Sequence, residues 1–197
     1  MRIHDDRYSR ERRKFDIALR FIRHEARTHT IHAWTGLSGD RIRKLYRFYI
    51  KESGSNQPRG SLPVRHRGKS PRQPAFFTRS ARARYEASSF ASLCRLTGAL
   101  PRAGAAISAE LRRDPAGLVR GELLCQAYEI YCARFGTPMM TFEHAEFLLR
   151  ALCRGDELVI GACRDCSAVL VTDRWTVRSP RCIVCAPPAP PAAGLPP

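Results

Sequence analysis

The 197 residues contain no run of about 18 uncharged apolar residues, which excludes a membrane-spanning helix of ordinary composition. Charge begins at Arg2, so the N-terminus offers no apolar leader core, and the expectation is a cytoplasmic protein. Lysine is scarce, with 4 residues against 30 arginines. Acids are scarce in one part of the chain only. Residues 1–84 hold 22 Lys and Arg against 7 Asp and Glu, whereas residues 85–197 hold 12 against 11. An arginine-rich genome accounts for arginine in place of lysine, but not for missing acids. A polyanionic partner accounts for both, because each neutralised phosphate releases counterions and strengthens binding.

Catalytic patterns are missing as well. His29 and His32 lie one turn apart without the glutamate of an H-E-x-x-H metal site. Gly36-Leu37-Ser38-Gly39 fails as a nucleophile elbow, since Asp40 stands at its last position. The chain is therefore expected not to be an enzyme.

The sharpest feature present is Cys163-x2-Cys166, fifteen residues, then Cys182-x2-Cys185. Two tight turns, each aiming two thiolates at one point, make a closed tetrahedral site that suits one structural Zn2+ per chain. An iron–sulfur cluster uses the same ligands. Neither pair is followed by histidine, which excludes haem attachment, and the βαβ setting of a redox dithiol is absent. The composition of Val169–Val177 predicts a β-hairpin between the two pairs, with Asp173-Arg174 at its middle. Cys94, Cys125, Cys132 and Cys153 fall among apolar helix positions and read as core thiols.

Periodicity predicts a mostly α-helical chain with an N-terminal helix-turn-helix-like segment and a small C-terminal four-cysteine zinc-ribbon-like module. A helix capped by Ser9 is expected over 9–27, a short one from Thr28 to Trp34, and a third from Asp40 to Lys51 after a Gly36-Leu37-Ser38 turn. Helical pattern returns over 76–97, again from Pro115 to a stop at Gly136, and from Thr141 to a stop at Gly155. Short β-rich runs follow at Leu158–Ile160, Val169–Thr172 and Trp175–Val177. The division is a basic helical segment 1–53, a basic Pro/Gly-rich linker 54–74 read as extended and mobile, a helical core and partner-binding region 75–155, the zinc module 156–186, and a disordered Pro-rich tail 187–197. On the third helix Ile42, Leu45, Tyr46 and Tyr49 form one stripe, with Lys44, Arg47 and Lys51 opposite and Arg41 and Arg43 beside them. These five basic residues are the expected DNA contacts, Arg43 and Arg47 being the base readers. Arg65, Arg67, Lys69 and Arg72 could add backbone contacts. Tyr128, Tyr131 and Phe135 form an aromatic face expected to need a partner's cover.

In their order and spacing, several segments resemble the FlhC family, the C subunit of the flagellar transcriptional activator of proteobacteria. They are Gly36-Leu37-Ser38 with Arg41-Ile42-Arg43-Lys44-Leu45-Tyr46, Gly60-Ser61-Leu62-Pro63, Ala87-Ser88-Ser89-Phe90, Ala127-Tyr128-Glu129-Ile130-Tyr131, and the run Cys182-Ile183-Val184-Cys185-Ala186-Pro187-Pro188. The resemblance covers most of 9–187. It implies a helical subunit that holds zinc through Cys163, Cys166, Cys182 and Cys185. It also implies a hetero-oligomer with the D-type subunit, in the form of a heterohexamer, that binds double-stranded promoter DNA and engages RNA polymerase with the housekeeping sigma factor. Two positions depart from it: Glu86 where a histidine is expected, and Glu146 where a tryptophan is expected. The reading from another class is an RNA- or ribosome-binding zinc-ribbon protein.

Overall fold

The computed structural model describes residues 2–54, 63, 64, 66, 68, 71–101, 117–177 and 180–186, with the side chains of 2–6 and 50–54 outside the description. In chain order the elements are α1 (Arg2–Arg23), α2 (Thr28–Thr35), α3 (Gly39–Gly54), a 3-10 turn (Pro74–Phe77), α4 (Ala81–Thr97), α5 (Leu118–Phe135), α6 (Phe142–Arg154), β1 (Leu158–Ala162) and β2 (Val169–Asp173).

Helix α1 buries Ile17, Ala18, Phe21 and Ile22, one stripe of its second half, while Tyr8, Ser9 and Arg10 stay exposed. It begins well before Ser9, which lies inside the helix and caps nothing. Arginine-rich turns on both sides of that serine favour helix enough to carry it through. The helix ends in a Schellman motif: Ala26 N–H donates to Phe21 O (2.9 Å) and Glu25 N–H to Ile22 O (3.0 Å). Glu25 takes the left-handed position at φ +60°.

Helix α2 closes on Gly36 at φ +69°, whose N–H donates to His32 O, and α3 starts three residues later. Ile31, Leu37 and Ile42 bury where α2 and α3 meet, with Tyr46 farther along α3. Part of the 54–74 segment is tied to this body. Tyr46 Oη donates to Pro63 O (2.8 Å), Val64 N–H donates to Glu25 (2.9 Å), and His66 pairs with the same carboxylate (2.8 Å).

Helix α4 is capped by Ser80, whose hydroxyl accepts from Ala83 N–H, so it starts later than the pattern over 76–97 suggested. Helix α6 is capped by Thr141 and stops at Gly155, and α5 stops at Gly136. Pro115 and the tail 187–197 fall outside the described residues.

Strands β1 and β2 form a two-stranded antiparallel sheet in which Leu158 faces Asp173 and Ala162 faces Val169. This overturns the expected hairpin between the two cysteine pairs. The partner of β2 lies before the first pair, and Cys163-x2-Cys166 sits in the hairpin's own turn. Trp175, Thr176 and Val177 form no strand, and Trp175 and Val177 are exposed. The register explains the choice: it places Leu158 and Val171 in the main core, with β2 beneath α4 and β1 against α6. One continuous core runs through all the helices and this hairpin, and Cys163, Leu170 and Cys182 form a small second cluster beyond it.

A candidate metal centre and a basic helix

The β1–β2 turn is built for two thiols. Cys163 N–H donates to Ala168 O and Ser167 N–H returns to Cys163 O, both at 2.8 Å. The second pair sits on a similar turn, where Cys185 N–H (3.1 Å) and Ala186 N–H (2.8 Å) donate to Cys182 O. The two turns are stitched together by Arg164 N–H on Pro180 O (3.2 Å) and by Asp165, which pairs with Arg164 (3.3 Å) and Arg181 (2.9 Å). Sequence reasoning did not find the Asp165–Arg181 tie, since nothing in the pattern marks an ion pair across sixteen residues.

All four sulfurs, of Cys163, Cys166, Cys182 and Cys185, lie within 4.8 Å of one another, and Cys166 Sγ stands 3.6 Å from Cys182 Sγ. Thiolates about 2.3 Å from a central zinc stand about 3.8 Å apart at tetrahedral angles, so the set fits one such ion. Amides aim at the sulfurs too: Cys182 N–H donates to Cys163 Sγ (3.3 Å) and Cys185 N–H to Cys182 Sγ (3.4 Å). The backbone donors of Cys182 and Cys166 pull the Cys163 thiol down to about 6, and that of Cys185 lowers Cys182. Hydrogen bonds with Cys182 and Cys166 push Cys185 up to about 12. Four adjacent thiols cannot all ionise against one another; a divalent cation replaces the protons they would otherwise share. The group can hold a metal ion, and all four ligand positions are filled by sulfur.

The other cysteines divide. Cys94 and Cys125 are buried, and burial pushes the Cys125 thiol up to about 12. Cys132 is half-buried. Cys153 is exposed, so the core reading fails there.

The basic helix α3 lays Ile42 and Tyr46 into the core, with Leu45 and Tyr49 half-buried. Arg41, Arg43, Lys44 and Arg47 are exposed on its other sides, and the Lys51 side chain lies outside the description. Arg41 is 3.5 Å from Glu11 and lies over the Phe15 ring, and Arg43 pairs with Asp40. Lys44 and Arg47 have no acidic partner among the described residues. Phe48 is 56% exposed beside them. Of the linker cations, Arg72 is exposed, and Arg65, Arg67 and Lys69 fall outside the described residues.

The aromatic face meant for a partner is covered within the chain. Tyr131 is fully buried, Tyr128 nearly so, and Phe135 packs half-buried against Tyr131 and Tyr85. A lone helix with these aromatics looks unpartnered; α1, α4 and α6 supply the cover. No described helix is long and apolar enough to cross a membrane. No protein-family model matches the sequence, and no curated protein matches it.

Proposed function

We propose that the chain is a DNA-binding, non-enzymatic transcriptional activator subunit that holds one structural Zn2+ through Cys163, Cys166, Cys182 and Cys185. The observation that carries the reading is the exposed basic side of α3. That helix follows α2 after a three-residue turn, it packs on the core through Ile42 and Tyr46, and Lys44 and Arg47 are left without an acidic partner among the described residues. A helix so placed can enter a major groove while α2 stays at the backbone. The sequence resemblance adds the particulars: a D-type partner subunit in a hetero-oligomer, flagellar promoters, and RNA polymerase with the housekeeping sigma factor. Zinc is preferred over an iron–sulfur cluster because four sulfurs within 4.8 Å of one another leave room for a single ion between them.

The test is co-expression with a D-type subunit, followed by metal analysis and DNA footprinting. One zinc per chain and a footprint of defined sequence are expected. Lys44→Ala and Arg47→Ala should each weaken binding with the fold intact. If the contact is to phosphate, each should also flatten the salt dependence by about 0.9 units of slope. A preference for RNA over duplex, or a double variant with unchanged affinity and slope, would sink the activator reading.

A further inference from the structure

A hollow of about 230 Å³ lies where α3 packs on α1. Phe15 of α1 and Leu45 and Phe48 of α3 give it apolar walls, and Arg41 and Lys44 complete it. Phe15 and Leu45 are half-buried, whereas Phe48 stays 56% exposed. A single exposed apolar side chain calls for no explanation. Phe48 differs in sharing a concave surface with two other apolar side chains, and in having cations for neighbours. Arg41, Lys44 and Phe48 recur at i, i+3 and i+7, so they share one side of α3, and exposed Arg47 adjoins Phe48 in the chain. The Arg41 guanidinium lies 5.7 Å from the Phe15 ring centroid and 3.5 Å from Glu11, while Lys44 has no acidic partner among the described residues.

An apolar spot ringed by cations is a poor seat for another protein's apolar surface, because covering it would strip water from charges with nothing to pair with. It suits a duplex. Phosphates meet the cations, and the apolar group that bases present in the major groove is the 5-methyl of thymine, which apolar side chains such as phenylalanine can contact. RNA carries uracil without that methyl, and side chains cannot read its narrow major groove. Reach limits the contact. Phe48 stands about 10 Å along α3 from Arg41 at ~1.5 Å per residue, which is about three base-pair steps of ~3.4 Å. Few thymines of a site can therefore meet the ring.

We propose that Phe48 is a specificity-determining residue, its ring meeting the 5-methyl group of a thymine in the major groove while Arg41 and Lys44 take nearby phosphates. The inference rests on the DNA-binding reading above and adds to it a residue and the base that the residue selects.

The experiment measures duplex binding by the full chain, purified from co-expression with a D-type subunit, on a duplex selected from a random pool. Each thymine is replaced in turn by deoxyuridine, which removes the methyl and nothing else. Replacement at one or two positions is expected to weaken binding about fourfold, the worth of one buried methyl group. Phe48→Ala should weaken binding of the thymine duplex by a similar factor and erase the difference between the two bases. Lys44→Ala should weaken both duplexes alike and keep the difference. On the native chain, 5-iodouracil at a sensitive position should crosslink on irradiation to the peptide that holds Phe48. Salt-dependent duplex binding with no sensitive thymine overturns the assignment and leaves the DNA-binding reading standing. So does sensitivity that survives Phe48→Ala, or a crosslink to another segment. Loss of the D-type subunit from the Phe48→Ala protein, with thymine sensitivity retained, makes the ring a protein contact and overturns the assignment too. A protein that binds no duplex overturns both readings.

Discussion

Ser167 holds φ at +59° in the turn that carries Cys163 and Cys166, a region where an L side chain is strained by about 1–2 kcal/mol. Glycine is the residue that such a turn favours, and here the backbone has adopted the glycine conformation without it. Ser167→Gly should relieve the strain, less about 0.5–1 kcal/mol for glycine's greater freedom when unfolded. The zinc-loaded protein should then melt slightly higher and release metal to a chelator more slowly. Ala186, at the matching place after the second pair, has no positive φ, so Ala186→Gly should give no gain. A loss at Ser167 equal to that at Ala186 would show that strain is not the difference. Glu25 is the other non-glycine residue with positive φ among those described, and its carboxylate receives Val64 N–H and pairs with His66. The side chain there has a task that glycine could not perform.

Among the described glycines, the tightest surroundings are at Gly121 of α5. A Cβ there would lie 3.3 Å from the Trp34 ring, 3.5 Å from Ile17 and 3.6 Å from Phe21, so α1 and α2 close on α5 because that position has no side chain. Gly121→Ala gains up to about 1 kcal/mol of helix propensity against a mild clash and should be close to neutral. Gly121→Val adds branches with nowhere to go and should cost about 1–3 kcal/mol, read as a lowered denaturation midpoint. A valine variant as stable as the native protein would mean that these helices are free to move apart. The same helices are tied by buried carboxylates. Glu86 receives Tyr131 Oη, Arg82 and Met139 N–H, and Glu146 receives Trp34 Nε1 at 2.8 Å and pairs with Arg150. Glu143 adds a third tie, to Arg27 N–H and Thr30 Oγ1.

Across the whole molecule, acid should loosen the fold in two stages. His24 and His144 both sit below the ordinary imidazole value, chiefly because burial disfavours their charged form. Arg20 and Arg23 press further on His24 against Glu129, while Arg79 and Arg27 press on His144 against Glu143. His24 stacks on Phe142 and His144 on Phe76. The unfolded chain therefore binds more protons than the folded one just below pH 6.5. The stability contributed by the neutral rings is complete above that value and is lost as pH falls through it. Glu86 and Glu129 are held below the usual carboxylate value: burial works the other way, but Tyr131, Arg82 and Met139 N–H outweigh it at Glu86, and Arg20 and His24 at Glu129. Their contribution goes below about pH 4.5. The melting temperature should thus drop between pH 7.5 and 5.5, and His144→Phe should reduce that drop. Equal melting temperatures at the two values would refute the assignment.

The helices α2, α3 and α6, the stops at Gly36, Gly136 and Gly155, and the four sulfur positions were legible in the sequence. Each follows from chemistry within a few residues: period, cap, left-handed glycine, paired thiols. The hairpin was misread because a β-rich run names no partner. Leu158 and Val171 both needed the main core, and only the packing under α4, where Ser88 Oγ receives Val171 N–H at 3.0 Å, decided which strands would pair. Nothing local marks the glutamates at 86 and 146 as buried, because their donors Tyr131 and Trp34 lie 45 and 112 residues away in the chain. The sequence by itself determined the local elements and which sulfurs could share a cation. The tertiary structure decided what covers Tyr128 and Tyr131 and which arginines on α3 have acidic neighbours, because burial and charge pairing depend on segments far apart in the chain.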